Sequence, residues 1–300
     1  MGELVCNALS KTYSGKKKGL DSVSFSIPSN GIFALIGRNG AGKTTLIRML
    51  ATELEPTSGS AILNGMEIVR DAKVLREKIA IIPQEARTIP WMTPKQTVLS
   101  YLLWRGLGFS EAKKRALEAL SKLDLEKSAD VLTRRLSGGT KRKVMIATVI
   151  ASEAEIIFLD EPTTGLDPIS RKELWVILKE LGRERFTFLT THYLEEAEQL
   201  ADRIGILKDG RLLAEGSLRD LRDQAKYQYS IKFPSNTPAP SVSEGELTTS
   251  EDGYAQLLTH EEEAFRIAKS LSEGGVKFSI SPISLDDIFF HLVRQTAGDD

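Results

Sequence analysis

The spacing of apolar positions changes character along the chain. Residues 4–13 and 23–27 alternate or run apolar, which predicts two strands joined by the turn Ser14–Gly19, whose lysines read as a solvated loop. Ile32–Ile36 is a continuous apolar run, the mark of a strand covered on both faces, and Thr44–Ala51 follows with helical spacing. A short strand at Ala61–Leu63, an Asn64-Gly65 turn, a brief helix near 71–77 and a strand at Ile79–Ile82 come next. Helical periodicity then dominates from about 85 to 150, in Thr97–Trp104, Ser110–Lys122 and Thr140–Ser152. Strand and helix alternate again through Glu155–Leu159, Ile169–Leu181, Thr187–Thr190, Leu194–Ala201 and Ile204–Lys208, and Asp209-Gly210 turns the chain into Arg211–Glu215.

Alternation of this kind predicts an α/β fold with a mainly parallel sheet, right-handed crossovers and ligands at the carboxyl ends of the strands. Composition shifts at 234–245 to a polar, proline-rich loop. Around it the pattern predicts a strand at Tyr227–Phe233, a hairpin through Glu251-Asp252-Gly253 and a helix at His260–Ser272 with Thr259 and Glu262 as a capping box. A strand at Val276–Ser281 and a helix at Leu285–Gln295 complete it. The expected organisation is one domain over 1–222, with a helical part at about 85–150, and a small α+β domain over 223–300.

Composition narrows the function. Lys plus Arg total 40 and Asp plus Glu 41, so a net charge of −1 gives no bulk attraction to nucleic acid or acidic lipid. The single cysteine, Cys6, excludes an internal disulfide and reads as a small buried residue of the first strand. The three histidines lie too far apart in sequence for a zinc site. The start carries no signal-like segment, and the longest apolar runs, such as Val144–Ala151, are too short to cross a bilayer. A soluble protein is expected.

Between the strand Ile32–Ile36 and the helix after it stands Gly37-Arg38-Asn39-Gly40-Ala41-Gly42-Lys43-Thr44-Thr45, a G-x-x-x-x-G-K-[ST] loop in its strand-loop-helix setting. Glycines let successive backbone N–H groups turn inward, and the following helix presents its positive end at the same place. A phosphate chain fits there. Lys43 adds a full charge for the β and γ phosphates, and the Thr44 hydroxyl can ligate Mg²⁺. About a hundred residues on, the apolar run Ile156–Leu159 ends in Asp160-Glu161. Asp160 is placed to orient Mg²⁺ directly or through water, and Glu161 to polarise an attacking water. Leu136-Ser137-Gly138-Gly139-Thr140 opens another helix with free N–H groups, two glycines and a hydroxyl, a second anion-seeking terminus that fits the phosphate of another subunit. Its plainer reading is an N-cap, Ser137, followed by Lys141, Arg142 and Lys143 as solvated charges.

Over roughly residues 2–220 these motifs, in this order, resemble an ATP-binding cassette (ABC) ATPase. The resemblance implies a P-loop NTPase fold in which a mainly parallel sheet core is joined by an antiparallel β subdomain and a helical subdomain, followed here by the small α+β domain. It implies that Gly37–Thr45 is the Walker A loop, Gln84 the Q-loop residue near Mg²⁺, and Leu136–Thr140 the signature sequence. By the same resemblance Asp160 and Glu161 are the Walker B pair, Asp167 the D-loop aspartate, His192 the switch histidine facing the γ-phosphate, and Tyr13 the aromatic residue that stacks on adenine. One departure stands out: Thr140 occupies the place where the signature usually ends in glutamine. Pro90-Trp91-Met92 and Tyr101–Trp104 follow Gln84 and could face the groove that receives a membrane partner, Trp104 fitting buried helical core equally well. The tail Pro282–Phe289 resembles the C-terminal extension of ATPases serving drug, polysaccharide and ion exporters.

The expected function is ATP hydrolysis by two copies closed face to face, a homodimer driving a separate transmembrane permease subunit, as an exporter. ATP and Mg²⁺ are the implied cofactors, no nucleic acid is expected, and the location is cytoplasmic, peripheral on the inner face of the cell membrane. A second reading is a soluble ABC ATPase working on nucleic acid, ribosomes or cofactor assembly. The C-terminal module is a candidate for regulation or dimerisation.

Overall fold

A computed structural model describes residues 2–295 except Lys16, Ala239, Ser241, Ser250 and Glu251, and the side chains of those residues up to Val293. The lysine turn, the proline-rich loop and the second hairpin therefore each include a position outside the described residues. The chain divides into two compact units, Met1–Glu215 and Gly216–Asp300. The boundary expected at 222 would cut a helix, α8 (Leu218–Gln224), that the sequence did not suggest. Ser217 caps it, its hydroxyl accepting from Asp220 N–H while the Asp220 carboxylate accepts from Ser217 N–H, and Arg222 donates to the Ile283 carbonyl at 2.8 Å. Those bonds place α8 with the second unit.

In the first unit the strands β1 (Glu3–Thr12), β2 (Lys18–Pro28), β4 (Ser58–Leu63) and β5 (Met66–Glu67) form an antiparallel sheet in the order β2-β1-β4-β5. Cys6 pairs with Phe25 there, and burial raises its thiol pKa far above the ordinary range, so it is an inert core residue. The central sheet has the order β10-β9-β3-β8-β7-β6, from β3 (Ile32–Ile36), β6 (Ile79–Ile82), β7 (Ile156–Asp160), β8 (Phe186–Thr191), β9 (Arg203–Lys208) and β10 (Arg211–Gly216). The pairs β9-β3, β3-β8, β8-β7 and β7-β6 are all parallel. Every residue of β3, β7 and β8 is buried, as strands covered on both faces require, the threonines of β8 and Asp160 of β7 included. Phe33, Phe188 and Phe158 pack in sequence across β3, β8 and β7, with ring centroids 4.9 and 5.7 Å apart, and Phe25 of the antiparallel sheet stacks on Phe33 at 5.7 Å. This core fixes the strand ends from which the site is built.

The helices of the unit are α1 (Lys43–Leu50), α2 (Ala72–Lys78), α3 (Pro94–Trp104), α4 (Phe109–Lys122), α5 (Gly138–Ser152), α6 (Pro168–Glu184) and α7 (Leu194–Leu200). Helix α3 starts three residues before its expected position because Thr93 and Gln96 form a full capping box ahead of Pro94. Trp104 is 83% exposed and Trp91 74%, which settles the alternative for Trp104 against the core.

The second unit holds a four-stranded antiparallel sheet, β12-β13-β11-β14, from β11 (Tyr229–Pro234), β12 (Gly245–Thr249), β13 (Tyr254–Thr259) and β14 (Ser279–Pro282). Helix α9 (Glu261–Glu273) covers one face, burying Ala264, Ile267 and Leu271 against Ile231, Phe233 and Leu257, and α10 (Leu285–Gln295) closes the unit. The expected Thr259/Glu262 capping box does not form. Thr259 is the last rung of β13, fully buried, and spends its hydroxyl on the Glu244 carbonyl at 2.7 Å, so His260 is the N-cap. Strand β14 starts three residues late because Val276 N–H is taken by the Leu271 carbonyl at the end of α9.

Candidate functional site

The loop between β3 and α1 is shaped by three glycines, each for a different reason. A Cβ on Gly37 would lie 2.5 Å from the Leu207 carbonyl oxygen, so the loop can pass β9 only without one. Gly40 has open space but a φ of +86°, and Gly42 combines a φ of +107° with the Gly19 carbonyl 2.4 Å from where a Cβ would stand. Ala41 is buried, its carbonyl accepting from Gly210 N–H at 2.9 Å. With the chain so held, Lys43 turns its ammonium inward, donating to the Gly37 and Arg38 carbonyls at 2.8 and 3.3 Å and pairing with Glu161 Oε1 at 3.3 Å. Both side chains of that pair are only 5% exposed.

The carboxyl ends of β7 and β8 complete the arrangement. Thr44 Oγ1 donates to Asp160 Oδ2 at 2.8 Å, and the Thr190 hydroxyl donates to Asp160 Oδ1. Glu161 sits in left-handed backbone conformation, φ +47°, which costs a non-glycine residue about 1–2 kcal/mol. Its Oε2 accepts from Gln84 Nε2 at 3.2 Å and Thr164 Oγ1 at 3.0 Å and lies 3.1 Å from His192 Nδ1. Tyr13, from the end of β1, bonds its hydroxyl to Thr45 Oγ1 at 3.1 Å and leaves its ring partly exposed. Tyr13, Asn39, Gly40, Gly42, Lys43, Thr44, Thr45, Gln84 and Glu161 line one cleft of about 530 Å³. Four segments far apart in sequence thus put their polar groups around one nucleotide-sized space.

Ser137, Gly138, Gly139 and Asp167 are not part of that cleft. Ser137 is the N-cap of α5, accepting from Thr140 N–H at 3.1 Å, with the Thr140 hydroxyl 2.8 Å from its own. A Cβ on Gly139 would lie 2.6 Å from Ser170 Oγ, so this glycine is demanded by the packing of α5 against α6, whereas Gly138 has open space around it. Asp167 caps α6, accepting from Ile169 and Ser170 N–H and from Ser170 Oγ at 2.7 Å; those bonds, the Ser170 hydroxyl foremost, hold its pKa below the ordinary carboxylate range.

Other residues enter the site that the sequence had left as solvated charge. Arg142 points inward, donating to the Glu161 carbonyl at 2.9 Å and the Pro162 carbonyl at 2.5 Å, and burial lowers its pKa. It thereby props the strained turn that carries Glu161. Lys17 and Lys18 line the nucleotide-sized cleft beside Tyr13, Lys18 pairing with Asp21 at 3.0 Å. Their place four and five residues after Tyr13 was the available signal. Lys143, by contrast, is a surface charge paired with Glu173. In α7, Glu196 is fully buried, accepts from Trp175 Nε1 at 3.0 Å and has its pKa raised by burial.

Among the described residues no group of three or more His, Cys, Asp or Glu could hold a metal by itself. The Thr44 hydroxyl and Asp160 carboxylate, hydrogen-bonded to each other, instead form the sparse hard-oxygen pair that suits Mg²⁺, an ion that keeps several waters and shares phosphate oxygens.

A glycine-shaped loop with its buried lysine, the Thr44–Asp160 oxygen pair and a second carboxylate, Glu161, beside them make the arrangement of a nucleoside triphosphatase site. Residues 20–164 match the family described as ABC transporter. The chain is 37% identical over 307 aligned residues to a daunorubicin/doxorubicin resistance ATP-binding protein of Streptomyces peucetius, covering 98% of this chain and 93% of that one. It is 34% identical over 298 residues to a daunorubicin resistance ATP-binding protein of Streptomyces coeruleorubidus, covering 95% and 93%. Its fold is similar to the dimeric structure of a post-hydrolysis ATP-binding cassette bound to ADP and phosphate, with a TM-score of 0.63, 28% identity and coverage of 72% of this chain and 99% of that one. The chain belongs to the ABC transporter ATP-binding proteins, and it is an ATPase subunit that powers transport.

Proposed function

We propose that this subunit drives export of an amphipathic, drug-like compound through a separate membrane permease, as a homodimer with Mg-ATP between the two copies. The observation that carries the catalytic part is the convergence of Lys43, Thr44, Asp160 and Glu161 at adjoining strand ends, with Gln84 and His192 on the Glu161 carboxylate. The names of the two relatives support the export reading. Among the described residues no helix is long and apolar enough to cross a membrane, so the transport path belongs to another chain in this reading, with the ATPase held at the inner face of the membrane.

In the working site the loop N–H groups and Lys43 bind the β and γ phosphates, and Tyr13 offers its ring to the base. Thr44 and Asp160 would hold Mg²⁺, with Gln84 adjoining; the ion supplies charge neutralisation at the phosphates. Glu161 orients the attacking water and takes its proton, and His192 faces the γ-phosphate. Ser137, Gly138, Gly139 and Asp167, away from their own chain's cleft, serve the nucleotide of the other copy. The test is reconstitution: co-purification with a multi-span membrane protein, and ATPase activity stimulated by amphipathic drug-like compounds in that complex, is the expected result. A partner set that is wholly soluble would overturn the transport assignment to a permease.

A further inference from the structure

The switch histidine has a second set of contacts that no catalytic role requires. Its ring packs on Tyr193, centroids 4.1 Å apart with the planes tilted by 39°. The Arg171 guanidinium sits 4.1 Å from the centroid of the same Tyr193 ring, a cation against an aromatic face. Arg171 belongs to the first turn of α6, and its Nη2 donates to the Leu166 carbonyl at 3.3 Å, while its backbone N–H donates to the Asp167 carbonyl at 3.0 Å. Its Nε is buried with no hydrogen-bond partner among the described residues, and the guanidinium is held by the tyrosine ring, the Leu166 carbonyl and the charge of the buried Glu196 carboxylate. Contact is therefore continuous from the loop ahead of α6 through Arg171 and Tyr193 to His192, and from His192 to the Glu161 carboxylate at 3.1 Å.

We propose that Arg171 and Tyr193 are positioning residues that set the His192 ring and make it responsive to the loop Thr163–Asp167. This rests on the role given to His192 above. The loop carries Asp167, which that reading turns toward the second copy. Closure of two copies displaces the loop, the Leu166 carbonyl carries Arg171 with it, and the stacked rings alter the His192–Glu161 contact. Closure is then relayed to the His192 ring through contacts within each chain, in addition to the residues each copy lends to the other's nucleotide. Neither Arg171 nor Tyr193 needs to touch nucleotide.

The chain's three histidines make a direct test practical, because His192 lies in the first unit while His260 and His291 lie in the second. Histidine-selective NMR of the full chain at fixed pH, with His192→Gln to assign the signal, reads the ring itself. In Arg171→Gln the His192 resonances are expected to move while those of His260 and His291 stay. The kcat for ATP should fall at least ~fivefold with KM within about twofold of wild type, the pattern of a lost transition-state contact. Tyr193→Phe keeps the ring and should match wild type. Arg171→Lys keeps the charge but loses the planar stack and should recover no more than part of the rate. Tyr193→Leu gives a second route to the same result if Arg171→Gln does not fold. Folded Arg171→Gln or Tyr193→Leu with an unmoved His192 signal overturns the proposal, as does an unchanged kcat while His192→Gln is impaired. Should His192→Gln hydrolyse ATP normally, the role of His192 itself falls, and the resonance alone decides whether the stack sets its ring.

Discussion

Replacing Glu161 by glutamine separates the chemistry of this site from its architecture. The carboxylate takes three neighbours on Oε2, namely Gln84, Thr164 and His192, and pairs through Oε1 with Lys43 at 3.3 Å. An amide keeps the volume and, with its oxygen at the Oε2 position, can keep those three contacts. Its NH₂ then faces the Lys43 ammonium, so one charge-assisted contact is lost, a cost of about 1.5–3 kcal/mol to the nucleotide-free fold. Phosphates would give Lys43 another partner, so ATP binding should be unweakened. The rate behaves differently, because a positioned general base contributes about 10²–10⁴-fold, or about 3–5 kcal/mol at 1.36 kcal/mol per decade. Phosphate-release kinetics should therefore show kcat down by at least ~100-fold, calorimetry a Kd for ATP no higher than wild type, and light scattering a stable dimer with ATP. Turnover within about tenfold of wild type would refute the assignment of the base.

The loop glycines should rank by what each must avoid: Gly40→Ala meets only left-handed strain, about 1–2 kcal/mol, whereas Gly42→Ala adds a backbone clash worth about 1–3 kcal/mol more, and nucleotide-free thermal melts should show that order. Arg142→Ala strips the Glu161 and Pro162 carbonyls of a charged donor and should cost about 2–3 kcal/mol in urea unfolding along with a fall in kcat; an unaffected rate would show that the Glu161 turn holds its shape alone. Burial raises the Glu196 carboxyl above its ordinary 4.5, so the stability tied to its protonated form is complete below that value and is lost as pH rises through the raised one. Glu196→Gln, which cannot ionise, should gain stability relative to wild type between acid and neutral pH, and a constant difference across that range in denaturant titrations would contradict the buried-carboxyl account.

Much of this arrangement was legible from the chain because its central strands are covered on both faces. Ile32–Ile36 and Ile156–Leu159 read as unbroken apolar runs, Phe186–Thr191 mixes aromatic and apolar residues with buried threonines, and the polar residues at or just after the end of each strand are forced to the same edge of the sheet. Sequence reading went astray where a polar residue's partner is remote. Arg142 looks like one of three consecutive basic residues, and only the fold shows it reaching the Pro162 carbonyl, 20 residues on. Thr259 and Glu262 have capping-box spacing, yet the β13 ladder claims Thr259 first. Glycine spacing in the signature suggested anion contact, but not that Gly139 is also the point of closest approach to Ser170. Helix α8 was missed because seven residues with two leucines carry too little periodicity to register.

The buried contact between Lys43 and Glu161 bears on how an inactivated subunit should be read. Truncating the lysine strands an acidic group that is 5% exposed, and orphaning one member of such a pair typically costs about 3–5 kcal/mol. A dead Lys43→Ala protein is thus expected to fail at staying folded as well as at gripping its fuel. The compensated double replacement, Lys43→Ala with Glu161→Gln, leaves no stranded charge, and what it still lacks is the lysine's own share of affinity.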